Sequence, residues 1–333
     1  MKINHSKKIL KGIVLILLVG GFFISYSSSF TNAKKTDKEI VLTHIANYDT
    51  YDYAMGVFVK DGIAYIADQH QDLHIVNVSD PNNPTFLAQG NFISSTRFGV
   101  YVRDNYCFVS GWNNRLPIFD ISDPSHPVLV SSLYGFNDAC DFVIRDDLIY
   151  IADFIHGMYI YNISNPTSPI FVGAYSGGFQ TCDIVLRGKY AYLTSLVGLV
   201  ILDISDPTNP SFINLYSTPS RIDGLVIRGK TLYLAAGYQG FIILDITNPI
   251  APTFVSSCAL PGFATRVELK NNYAFVCCSS GGLHVINVRD VTNPVIVHQL
   301  TQYTGVSNIF FKGRLAYVTN GFSGLEIFRI SKK

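Results

Sequence analysis

The stretch ILDISDPTNPSFI, residues 201–213, is one of six near copies in this chain. The others start at Ile75 (IVNVSDPNNPTFL), Ile118 (IFDISDPSHPVLV), Ile160 (IYNISNPTSPIFV), Ile243 (ILDITNPIAPTFV) and Val285 (VINVRDVTNPVIV). A seventh copy begins on schedule as EIFRISKK, residues 326–333, and stops before its turn. One aromatic position marks the same period: Tyr65, Phe108, Tyr150, Tyr192, Tyr233, Phe275 and Tyr317, spaced about 42 residues apart. A step of that size matches one four-stranded propeller blade.

Within a copy the strand signals alternate with turn signals. In the fourth, IVL precedes the tight turn RGK, YAYLT precedes the loop SLVG, LVILDI precedes SDPTNP, and SFINLYS closes the unit. Gly, Asn, Asp or Pro bounds each of these short runs, as expected for strands. The third run is apolar almost throughout, so both of its faces must be covered. Blades stacked face to face around an axis supply that cover. The turn has its own chemistry. Asp or Asn can accept an N–H two residues on, and the following Pro presets the first corner. The second Pro cannot donate to a ladder and suits the start of an outer strand. The pairs are Pro81/Pro84, Pro124/Pro127, Pro166/Pro169, Pro207/Pro210 and Pro249/Pro252, and the sixth copy keeps only Pro294.

The unfinished seventh copy lacks an outer strand. EIVLTHIANY, residues 39–48, directly precedes the first strand of the first copy and has the right character to fill that place. The expectation is a single all-β domain over 39–331: a seven-bladed β-propeller of four-stranded antiparallel blades, its last blade closed by the N-terminal strand.

The recurring G-L-x-[IV]-x-D-[IV]-S-D-P-x-x-P, Y-[IVL]-A-D and F-V-G strings resemble the LVIVD-repeat family of exported and cell-surface β-propellers. The resemblance runs from about Glu39 to the end. It implies a propeller outside the cytoplasm, with ligands mostly undefined. WD40 and kelch patterns fit less well, because the single Trp, Trp112, lies in a loop and no paired glycines recur.

Composition narrows the partners. The net charge is +1 and only 15% of residues are charged, which gives no global field toward nucleic acid. The N-terminus differs from the rest. Lys2, Lys7, Lys8 and Lys11 precede the apolar run Ile13–Ile24, followed by small polar residues through Thr31 and Ala33. That is the layout of a secretory signal peptide over 1–33, or of an uncleaved anchor, and it implies an extracytoplasmic, secreted or membrane-tethered protein. Export permits disulfides among the six cysteines. Cys140 and Cys182 hold equivalent positions in neighbouring copies and are the candidate pair, with buried free thiols as the alternative.

Aligned copies place Gly56, Gly99, Asp141, Asp183, Gly224, Arg266 and Asn308 at one position on the innermost strand. Asp223 comes one residue earlier. Asp141, Asp183 and Asp223, with Arg266 beside them, are expected at the mouth of the central channel. There they can hold Ca²⁺ or orient a sugar or peptide, or simply form a solvated rim. Trp112, Phe154, Tyr238 and Phe322, with His70 and His156, occupy the loops on the same face and suit carbohydrate or protein contact. A ring of basic residues, Lys60, Arg103, Arg145, Arg187, Arg228, Lys270 and Lys312, marks the opposite face. It offers either attraction for an anionic polymer or solvation of acidic turns. No catalytic motif occurs. The sequence therefore suggests a binding scaffold for a glycan, peptide or protein. The rivals are a glycan hydrolase or lyase using the channel carboxylates, and a purely structural array.

Overall fold

A computed structural model describes residues 40–69, 72–90, 96–111 and 114–332. Residues 1–33, read from the sequence as a signal peptide or anchor, lie outside the described residues, as do His70 and Trp112. Twenty-eight strands form seven sheets of four, each an antiparallel meander, and no helix occurs among the described residues. Six sheets use consecutive strands. The seventh joins Val306–Lys312, Leu315–Asn320 and Leu325–Lys332 to the N-terminal strand Ile40–Tyr48. That strand runs antiparallel to Leu325–Lys332, from Ile40 against Lys332 to Tyr48 against Leu325. The ring is closed by strand pairing, as the truncated repeat predicts.

The core is divided into seven apolar clusters, one between each pair of neighbouring blades. The periodic aromatics all fall in these clusters or in direct contact with them, and Phe108, Tyr192 and Phe275 are wholly buried. The first and last blades share such a cluster: Val57, Val59 and Ile66 meet Tyr317, Leu325 and Ile327. Ser307 Oγ donates to the Met55 carbonyl at 3.0 Å across the same junction.

The S-D-P-x-x-P turn is capped twice. In the fourth blade the Ser205 N–H donates to Asp203 Oδ1 at 2.8 Å, and the Thr208 N–H to Asp206 Oδ1 at 3.0 Å. Asn77 and Asn162 make the first of these caps in their own blades, to Ser79 and Ser164. Their Asn-x-Ser triplets are therefore parts of the turn.

The turns between first and second strands share one conformation. The residue after each basic position has φ between 49° and 61°: Asp61, Asp104, Asp146, Gly188, Gly229, Asn271 and Gly313. Only Gly, Asn and Asp adopt this region readily. Six of the seven basic residues reach chiefly to backbone carbonyls and not to acids. Lys60 donates to the Asp104 carbonyl, Arg103 to Asp146, Arg145 to Gly188, Arg228 to Asn271 and Lys270 to Gly313. Each reaches the matching turn of the next blade, so the ring ties blade to blade. Arg187 likewise reaches the Ile246 carbonyl of the following blade.

Candidate functional site

Each inner strand runs from the mouth face toward the basic turns. In six of the seven blades its pairing with the second strand slips at or beside the position aligned from the sequence; the fifth, from Gly224, pairs without a slip. The slips fall between Ala54 and Gly56, Ala139 and Asp141, Ala264 and Arg266, and Val306 and Asn308, with wider ones in the second and fourth blades. A bulge of this kind re-aims side chains. Glycine at the same position lets neighbours close in. A Cβ on Gly99 would stand 2.8 Å from Asp141 Oδ1, and one on Gly224 would stand 2.8 Å from the Arg266 Cα.

Asp141, Asp183 and Arg266 meet in the channel, as the alignment predicts. The Arg266 guanidinium bonds Asp141 and lies 3.2 Å from Asp183 Oδ2. Backbone amides hold the carboxylates from behind: Phe142 N–H donates to Asp141 at 2.7 Å, Ile184 N–H to Asp183 at 2.8 Å, and Leu225 N–H to Asp183 at 3.1 Å. Burial works against the Arg266 charge, and the two carboxylates outweigh it, so the guanidinium is held more firmly protonated than usual. Burial pushes the Asp183 carboxyl up to about 7, against the pull of Arg266 and with the help of the Asp141 charge.

Asp223 does not join this cluster. It is bonded by Arg221, two residues earlier, whose Nε donates to Asp223 Oδ1 at 2.7 Å. The Cys182 thiol lines the same chamber as this carboxylate. Burial raises the Asp223 carboxyl and the Arg221 bond opposes the rise.

Arg266 thus splits the channel. On the mouth side is a chamber of about 200 Å³ lined by Phe98, Phe154, Arg221, Asp223, Phe263 and both Cys140 and Cys182. On the turn side is one of about 370 Å³, lined by Asp141, Glu268, Asn308 and several aromatic rings. Asn308 therefore belongs to the far chamber and not to the mouth.

Two sequence expectations change here. Cys140 and Cys182 form no disulfide. Both thiols line the mouth chamber beside Asp223. The Ca²⁺ reading fails because a guanidinium already occupies the place between Asp141 and Asp183. Among the described residues no three His, Cys, Asp or Glu side chains are arranged to hold a metal ion.

The loop aromatics divide as well. Phe154 turns into the mouth chamber. Tyr238 and Phe322 stand 80% and 75% exposed on the mouth face. Each is braced edge-on by a ring of the adjoining blade: Phe263 at 4.9 Å from Tyr238, and Tyr53 at 5.0 Å from Phe322. Tyr238 also borders an outer groove of about 470 Å³ whose lining includes Tyr216, Pro219 and Phe254. His156 bonds Asp153 at 2.9 Å and caps its own loop. Sequence reasoning missed Arg221, Phe263 and Glu268. Glu268 stands two residues from Arg266 on one strand, the spacing that returns to the same face. Arg221 stands two residues before Asp223 in the segment that leads into the strand Gly224–Arg228.

A pH test follows from Asp183. Unfolded, its carboxyl titrates near the ordinary 3.8, and folded near 7. The folded chain binds the extra proton between those values. Its contribution is therefore fully present below the lower value and lost as pH rises through the higher one. Buried His74, lowered to about 4 by desolvation, works in the opposite direction. The test is consequently a difference: melting temperature of Asp183→Asn minus wild type should climb from pH 4 to pH 7. Parallel curves for the two proteins would refute the assignment.

This closed ring with a charged waist defines a seven-bladed β-propeller. The model of the LVIVD repeat matches residues 52–90, 98–134, 137–177, 178–218, 222–259 and 261–301, and the chain belongs to that family. The matched copies are the six whose outer strand follows in sequence. The seventh, assembled from both ends of the domain, goes unmatched. Solved structures share the fold at low identity. The WD40 β-propeller domain of Doa1 superposes with a TM-score of 0.69 at 10% identity, covering 86% of this chain and 96% of that one. Sqt1 of Saccharomyces cerevisiae gives 0.65 at 8% identity, with 90% and 100% covered. The computationally designed Ika8 protein gives 0.65 at 8% identity, with 86% and 99% covered. No curated protein matches the chain.

Proposed function

We propose that the protein is an exported binding scaffold whose mouth face captures a peptide or protein segment. β-Propellers in general serve as protein-interaction scaffolds. The observation that carries the reading is Tyr238, largely exposed yet held against Phe263 at the head of the outer groove. An aromatic ring fixed in place before binding loses little freedom on contact, which is what a binding hot spot requires. The layout of residues 1–33 supports export. The hydrolase alternative loses its footing because Asp141, Asp183 and Asp223 are each tied to a guanidinium.

Panning a random-peptide phage library against the immobilised full chain, with a glycan array run beside it, tests the reading. Recovered peptides should lose at least about tenfold in affinity on Tyr238→Ala, and Phe322→Ala should weaken those that bridge toward the seventh blade. Peptides indifferent to both substitutions, or selective capture on the glycan array alone, would overturn it.

A further inference from the structure

The chamber on the turn side of Arg266 is lined by more acids than cations and by an aromatic wall. Asp141, Asp183 and Glu268 surround a single guanidinium, Arg266. Glu268 lines the chamber together with Phe58, Phe98, Phe142 and Phe310. Burial raises the Glu268 carboxyl, Arg266 pulls it down and Asp141 adds to the rise, so three acids compete for one cation. None of the basic turn residues lines the chamber, and Lys60, Arg103, Arg145, Arg228 and Lys270 reach instead to carbonyls of the next blade. The rings nearby do accept an ammonium group: Lys270 Nζ lies 4.8 Å from the centroid of Phe311, another wall residue.

We propose that this chamber binds an organic ammonium ion, its cationic head between Asp141 and Glu268 and its alkyl groups against the phenyl walls. A hard metal cation needs six or more oxygen ligands, which these walls lack. A weakly hydrated alkylammonium is attracted by aromatic faces and by carboxylates together. An anion meets only repulsion, because the one guanidinium is already shared by two carboxylates. This site is separate from the mouth face and stands whether or not a peptide binds there.

Choline and neohexyl alcohol, its uncharged carbon isostere, are the probes, titrated calorimetrically into the full chain. Choline should bind saturably and at least about tenfold more tightly than the alcohol. Glu268→Gln should weaken choline by about tenfold or more and leave the alcohol unchanged. Its melting temperature should hold or rise, since a buried charge is removed. Phe58→Leu keeps an apolar wall without the ring quadrupole, and should weaken choline about threefold or more with little effect on the alcohol. Absent choline binding, parity of choline with the alcohol, or unchanged choline affinity in both variants would overturn the proposal.

Discussion

A chain lacking residues 40–48 is expected to lose cooperative melting. Ile40 and Leu42 of that strand are buried in the cluster between the sixth and seventh blades. Ile45 and Tyr48 pack against the cluster between the seventh and first. The Tyr48 hydroxyl also reaches His74 Nε2 of the first blade at 3.2 Å. One strand therefore holds two of the ring's junctions. Burial of Ile40 and Leu42 alone contributes about 4 kcal/mol, at about 2 kcal/mol each. Deletion also strips the ladder partner from Leu325–Lys332 and leaves an open edge. Against a typical domain stability of about 5–15 kcal/mol, that loss is decisive. Circular dichroism melting of the deletion variant measures it. A synthetic peptide of residues 40–48 should restore part of the transition, because closure here is noncovalent. Unchanged melting of the deletion variant would refute closure by this strand.

Arg266→Met is expected to cost about 3–5 kcal/mol, the usual penalty for stripping one member from a buried ion group. The loss comes from Asp141 and Asp183, which would remain buried with no cation between them. The triple variant Arg266→Met, Asp141→Asn, Asp183→Asn should recover much of the stability, since both carboxylates bonded to the guanidinium go with it and replacing buried ion partners together is often neutral. Denaturant titration of the two variants separates the cases. A triple variant no more stable than Arg266→Met would show that Arg266 acts through packing and not through charge.

The repeat made the fold legible because each blade solves the same local problem with the same residues. The turn needs an Asx cap and a proline, the second strand needs a buried aromatic, and the count of these gives the number of blades. The unfinished seventh copy then identifies the strand that closes the ring. The inner-strand alignment also brought Asp141, Asp183 and Arg266 together, because the pairing slips at or near that position in their three blades. What the repeat could not carry was the direction of each side chain within the channel. Asp223 sits one residue off the aligned position and takes Arg221 as its partner, so it separates from the other carboxylates. Cys140 and Cys182 line one chamber, yet the disulfide expected from symmetry is absent. The basic ring misled in a different way: counting charges found it, but its acceptors are backbone carbonyls, which have no signature in the sequence.

Ile40 and Lys332 face each other where the N-terminal strand meets the end of Leu325–Lys332, on the side of the disc that carries the basic turns. The mouth aromatics Tyr238 and Phe322 lie at the other side. A biotin, bead or display anchor coupled ahead of Ile40 or behind Lys332 therefore leaves from the back of the disc. Immobilised through either end, every molecule on a sensor surface offers its mouth to the solution, and random amine coupling through the turn lysines gives the same presentation.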